Sequence, residues 1–243
     1  MILPNKKDAV HRAWLYRILS AIYDNQFLAT NLYFKGGTSA AMRDFLDRFS
    51  VDLDFDFIGD DKDIVRIRKE LESIFKELGL EIKDQSKVIP QYFLKYPNKE
   101  KERNTVKIEV ATFKIKANKY EQVRLVDIDR IAICQTIETM FANKLVAIID
   151  RFEQHNTIAG RDLYDIHHFF MADFKYDRDI IKERRDVDAK EFLSELASFI
   201  EKNITNTIIN QDLNTLLSPE KFRQMRKVLK KETLMFLKNE IST

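Results

Sequence analysis

The sequence contains one cysteine, Cys134, in 243 residues, so no internal disulfide can form and the fold must hold by packing alone. It is also poor in turn residues. Five glycines and four prolines leave no Gly/Pro/Ser-rich linker, and there is no low-complexity tract or internal repeat. Neither sign of charge is in excess: 41 Lys and Arg against 39 Asp and Glu leave +2. Total charge therefore argues neither for nor against a nucleic-acid partner, and any basic patch has to be local. No apolar run approaches the roughly 18–20 residues of a membrane span, and the N-terminus has no signal-peptide pattern. The expectation is a soluble, cytoplasmic protein with no membrane partner.

What is present is an ordinary globular balance, 44% hydrophobic and 33% charged, enough for one large domain or two modest ones. Helical spacing of Val10, Trp14, Ile18 and Ile22 predicts a helix over 6–24. "FLATNLYF" (27–34) reads as a strand, followed by a helix capped by Thr38 or Ser39 and running to about Leu46. "SVDLDFDF" (50–57) alternates strictly and predicts a strand. A helix follows over 61–78, ended by Gly79, then strands at 80–82, 89–96 and 105–113, with the polar run 97–104 as a hairpin loop. From about Asp129 the pattern is helical, over 131–151, 161–172, 188–203 and 219–239. The predicted architecture is an α/β (α+β) head over 1–128, a mixed β-sheet flanked by helices, then an all-helical domain over 129–243. With no linker between them, the two parts are expected to pack together.

Two of the five glycines are adjacent, Gly36-Gly37, shortly before Asp52-Leu53-Asp54. In a strand Asp52, Asp54 and Asp56 share one face, with Val51, Leu53, Phe55 and Phe57 on the other. Three carboxylates side by side repel, so that face is either solvated or holds a cation. Mg²⁺ is commonly bound by one or two carboxylates plus substrate phosphates, and two such ions can clamp a phosphoryl transfer. A Gly-Gly turn between strand and helix is either a plain turn or a close approach for a phosphate at a helix N-terminus. Thr38 and Ser39 add hydroxyls and Lys35 a cation, but no Gly-Lys-Ser/Thr follows, so this is not a Walker A loop. Glu109 in "VKIEVATF" would face the same side as Asp52 and Asp54 if the strands are neighbours; otherwise it is an exposed glutamate.

These segments resemble the nucleotidyltransferase superfamily of DNA polymerase β, and more closely the AbiEii/AbiGii toxin nucleotidyltransferase family. The matching pieces are Lys35–Ser39 (Lys-Gly-Gly-Thr-Ser), Arg48–Phe55, "KLVAIIDR" (144–151) and "RDLYDI" (161–166), in that order. The resemblance implies transfer of a nucleoside monophosphate from an NTP, with two Mg²⁺ ions as cofactor and a cognate antitoxin as partner. An RNA acceptor is implied by relatives that modify tRNA 3′ ends. It assigns Asp52 and Asp54 to metal, and Glu109 either to metal or to accepting the attacking hydroxyl's proton. Lys35, Gly36, Gly37, Thr38, Ser39, Arg48, Lys144, Arg151 and Arg161 are assigned to the nucleotide, and Asp165 and Lys144 join the catalytic set. Asp56 lies outside the shared motif and is read as surface.

Lys144 and Arg151 are seven apart and share a helix face. That pair is either a snorkelling lysine with a surface arginine or a triphosphate contact. Arg161 and Asp165 lie at the start of a helix, where Arg161 suits phosphate and Asp165 suits orienting Arg161 or Lys144, while Asp162 reads as a first-turn cap. Adjacent His167 and His168 diverge by about 100° on a helix, which disfavours a shared metal. The segment 219–239 carries Lys221, Arg223, Arg226, Lys227, Lys230, Lys231 and Lys238; its basic face is either an RNA-backbone contact or solvated surface. The apolar positions Phe222, Met225, Val228, Leu229 and Phe236 are expected to pack inward. A nucleotide-binding regulatory module without turnover is the alternative function, as is transfer to a small molecule or a protein hydroxyl.

Overall fold

The computed structural model describes residues 1–242, in two units: residues 1–114 with 120–135, and residues 115–119 with everything from Thr136. The first unit is built on β1 (Leu32–Lys35), β2 (Asp52–Phe57), β3 (Glu81–Gln85), β4 (Gln91–Lys95), β5 (Thr105–Ala111), β6 (Tyr120–Leu125) and β7 (Arg130–Gln135). They form one sheet in the order β3-β4-β5-β2-β1-β7-β6. The β2–β5 and β1–β7 pairs are parallel and the rest antiparallel.

Alternation sends Leu53, Phe55, Tyr92, Leu94, Val106, Ile108, Val110 and Cys134 to one buried face. Helices α1 (Asp8–Asp24) and α4 (Ile64–Glu77), with Leu15, Ile18, Leu19, Ile22, Ile67, Leu71, Ile74 and Phe75, join the same cluster. Each such side chain contributes roughly 1.5–3 kcal/mol over its exposed state. The inward stripe of α1 includes His11, not the expected Val10, which is 39% exposed. His11 bridges Val51 O (3.0 Å) and the Tyr96 hydroxyl (2.7 Å), and its burial lowers its pKa to about 4.

Three expectations are corrected. Residues 26–31 are helical, α2 (Gln26–Asn31), because the Asn25 side chain accepts from the Leu28 N–H and caps a turn, leaving only 32–35 extended. Thr38 and Ser39 are not caps: α3 (Gly36–Met42) begins at the glycines and stops well short of Leu46. Residues 131–135 are strand β7. The change of pattern near Val126–Asp129 is the β6–β7 hairpin turn, with Asp129 at φ 52°, a conformation Asp tolerates better than most residues. The helical segment begins one strand later, at the cap Thr136.

The second unit contains α5 (Ile137–His155), α6 (Gly160–Met171), α7 (Arg178–Arg185), α8 (Ala189–Asn203), α9 (Asn206–Leu213) and α10 (Pro219–Ser242). Phe141 packs edge-on against Phe169, Phe170 and Tyr176. On α10 the buried positions are Leu229, Thr233 and Leu237, whereas Phe222, Met225, Val228 and Phe236 are only half-buried. Lys230, expected on the basic face, donates to Glu201 O and Ile204 O (both 2.8 Å) at the end of α8.

Candidate active site

The face of the sheet opposite the core carries the chemistry. Register places Asp54 between Lys35 on β1 and Glu109 on β5, with Asp52 beside Lys107. Strands β2 and β5 are thus neighbours, and Glu109 stands across from Asp54. Gln91 Nε2 (2.6 Å) and Lys107 Nζ (2.5 Å) both donate to Glu109 Oε2. Burial raises the Glu109 pKa, but the Lys107 hydrogen bond and charge outweigh it and hold the carboxyl below its ordinary value. Asp54 is the opposite case. Burial first, then repulsion from Asp52 and Glu109, pushes its carboxyl up to about 6, against the pull of Lys35 and Lys107.

The glycines are there for space. Gly36 has φ +78°, and a Cβ on it would stand 2.5 Å from Asp54 Oδ2. A Cβ on Gly37 would stand 2.7 Å from Arg48 Nη2 and 3.0 Å from Ser50 Oγ. The Gly36-Gly37 backbone therefore lies directly on the Asp54 carboxylate and on Arg48. Arg48 is buried and donates to Phe49 O (2.9 Å). Thr38 is also buried, and its hydroxyl bonds Ser50 Oγ (2.9 Å) and the Asp52 carbonyl. Ser39 lies against the Cys134 thiol, which burial pushes up to about 11. Both hydroxyls face the fold, so a ligand at this turn meets the backbone of residues 36–39.

Asp56 is not a surface residue. It is 5% exposed and accepts from Lys35 Nζ (2.6 Å), Tyr120 Oη (2.9 Å) and Gln135 Nε2 (2.6 Å). The period-2 pattern put it on the right face, but its three partners come from β1, β6 and β7. Two of those strands were not foreseen. The pairing ties Lys35 down beside Asp54 instead of leaving it loose in solvent.

Among the described residues, no group of three or more His, Cys, Asp or Glu is arranged to hold a metal ion. Two carboxylates from one strand face, one of them disfavoured as an anion, do suit a divalent cation that takes its remaining oxygens from a substrate's phosphates. The residues present thus fit Mg²⁺ at Asp52 and Asp54. Glu109, which accepts from Gln91 and Lys107 at Oε2, is adjacent.

In the helical unit α5 and α6 bring a second group together. Lys144 Nζ lies 2.7 Å from Asp162 Oδ1 and 2.9 Å from Asp165 Oδ2, and Arg151 Nη2 lies 3.4 Å from Asp162 Oδ2. Asp162 is 1% exposed and Asp165 fully buried. Burial alone would raise Asp162, but Lys144, Arg151 and Arg161 together bring it to about 2. The first-turn position suggested only a cap, yet α6 has no side-chain cap and Asp162 is the hub of an ion-pair cluster. A spacing of 18 residues from Lys144 gives no periodic signal that could have found it. His167 pairs with Glu232 (2.7 Å) while His168 stacks on Tyr164.

Comparison with known proteins follows the same lines. The profile of one family, described as nucleotidyl transferase AbiEii toxin of a type IV toxin–antitoxin system, matches residues 17–233. The fold is similar to JHP933 from Helicobacter pylori, at 20% identity and TM-score 0.57, covering 99% of this chain and 95% of that one. It is similar as well to MenT4, a nucleotidyltransferase toxin from Mycobacterium tuberculosis, at 16% identity and TM-score 0.54, covering 96% of this chain and 84% of that one. The curated proteins give no match.

Proposed function

This chain belongs to the AbiEii family of nucleotidyltransferase toxins, and from that premise we propose that it transfers a nucleoside monophosphate from an NTP to the 3′ end of tRNA, with Mg²⁺. A nucleotidyltransferase takes an NTP as substrate, and a toxin of this family implies a cognate antitoxin. The observation that carries the reading is the packing of the Gly36-Gly37 backbone onto Asp54, beside Asp52 and Glu109 on one sheet face.

The acceptor hydroxyl oxygen attacks the α-phosphorus, the bond from that phosphorus to the α,β-bridging oxygen breaks, pyrophosphate leaves and the hydroxyl proton passes to solvent. When bound, Mg²⁺ would supply positive charge to offset that of the triphosphate. Asp52 and Asp54 would hold it, and Glu109, kept ionised by Lys107, stands beside them on the acidic face. The backbone N–H groups at residues 36–39 orient phosphate oxygens, and Lys35, held by Asp56, adds positive charge beside them. Arg48 supports that turn from beneath. The family resemblance also gives Lys144, Arg151 and Arg161 as phosphate-binding, and within the helical unit Asp162 and Asp165 hold the Lys144 ammonium.

The test is a labelling assay with total tRNA, Mg²⁺ and each α-labelled triphosphate in turn, beside Asp54→Ala. Label on tRNA from one nucleotide, lost in the variant, is the expected result. Pyrophosphate release without RNA labelling would move the acceptor to a small molecule or a protein hydroxyl.

A further inference from the structure

Among the described residues ten other large hydrophobic side chains are exposed alongside Phe113, and scattered exposure of that kind needs no explanation. Phe113 differs in its place. It sits at a bend two residues past Ala111, the last residue of β5, and Ala111 stands opposite Asp56. The small Ala111 side chain puts no bulk between Asp56 and the ring. Lys35 Nζ, 2.6 Å from Asp56 Oδ1, also sits 5.7 Å from the Phe113 ring centroid. One ammonium therefore links the carboxylate face to an aromatic ring that is 64% exposed. The ring is not on a loose end. The next residue, Lys114, donates to Gly59 O (2.8 Å) and lies over the Phe57 ring. On the same face Tyr33 and Tyr120 pack edge-on at 4.9 Å, with the Tyr120 hydroxyl on Asp56.

We propose that Phe113 is the stacking platform for the nucleobase of the triphosphate, with Lys35 marking the step from the phosphate end of the site to the base end. The proposal rests on the transferase reading and names what that reading lacks, a surface for the base. The chemistry recognised is a flat π-face, which every nucleobase has, so Phe113 supplies affinity with little choice among bases. Phe113 lies at a bend two residues past the end of β5, and it is tied to the acidic face through Lys35.

The test compares wild type, Phe113→Ala and Phe113→Trp for binding of each of the four NTPs and of inorganic tripolyphosphate, all with Mg²⁺, by calorimetry. Expected is a loss of NTP affinity in Phe113→Ala of roughly five- to a hundredfold, as for other base–aromatic stacks. Tripolyphosphate affinity stays at the wild-type level, because that ligand has no base. Phe113→Trp restores NTP binding, and its new indole emission is quenched by NTPs and not by tripolyphosphate, against the Trp14 background of wild type. Unchanged NTP affinity in Phe113→Ala, or an equal loss for tripolyphosphate, overturns the proposal. The two readings fail separately: absent pyrophosphate release with NTP binding that still depends on Phe113 would sink the transfer reaction and leave the base site standing.

Discussion

At the scale of single residues the site stores an unfavourable charge. Asp54 titrates near 6 in the fold, above its ordinary value of 3.8. The folded state thus binds this proton more tightly than the unfolded chain does. The sign follows: the contribution of Asp54 to metal-free stability is most favourable below about pH 4 and is lost as pH rises through about 6. Asp54→Asn should therefore raise stability in EDTA at pH 7.5, by on the order of 2 kcal/mol, while abolishing transfer. Thermal melts in EDTA and in Mg²⁺ check both halves: the wild type should gain from Mg²⁺ and the variant should not. A variant that melts lower than wild type in EDTA would contradict the argument. Gly36→Ala tests the packing from the other side. Its new methyl meets Asp54 at a backbone angle disfavoured for side chains, so a loss of about 1–3 kcal/mol in urea melts is expected, with activity lost as well. The carboxylate alternation and the glycine pair were legible because both are local in sequence. Asp56 was misread because burial of a carboxylate depends on donors that only the assembled sheet provides.

At the scale of elements, periodicity placed α1, α4, α8 and α10 well and the central strands well. It failed where one short-range contact outweighs a pattern. The Asn25 cap turns an apparent strand into α2, and the αL turn at Asp129 folds an apparent helix start into the β6–β7 hairpin. Helices α7 and α9, eight residues each, gave too little pattern to be found. Two element contacts make testable claims. Lys230 closes the C-terminus of α8 through two carbonyls, so Lys230→Met should cost about 1 kcal/mol by urea denaturation. The neighbouring Lys231→Met, at an exposed position, should stay within about 0.5 kcal/mol. Between α5 and α6, Asp162→Ala strips Lys144 and Arg151 of a buried partner. Because Lys144 keeps Asp165 and is partly solvated, a loss of about 2–3 kcal/mol is expected rather than the full cost of an orphaned buried charge. A loss below 0.5 kcal/mol would show that the cluster is no clamp.

At the scale of the whole molecule, no helix among the described residues is long and apolar enough to cross a membrane. The chain passes from one unit to the other three times, at 114/115, 119/120 and 135/136. The excursion 115–119 is built into the helical unit. The Glu183 carboxylate accepts from the N–H groups of Lys116 and Ala117, Thr139 Oγ1 accepts from Lys119 N, and Lys119 O accepts from Thr136 N. A fragment beginning at Thr136 leaves Glu183 and Thr139 without those donors. It should show weaker amide-exchange protection at the α5 N-terminus and in α7 than the full chain does, and equal protection would refute the dependence. No composition shift marks a five-residue excursion, so 115–119 carries no local signal of its place. The β1–β7 pairing has a consequence for biosynthesis. Phe34 waits for Cys134, a hundred positions later, before the strand that carries Lys35 gains its second neighbour. On the ribosome, Asp52, Asp54 and Glu109 all emerge while that sheet is still open, and Gln135, the last ligand of Asp56, closes it. A chaperone or a partner acting on the nascent chain would meet the acidic residues first as a half-built edge, and only later as a site able to bind a triphosphate.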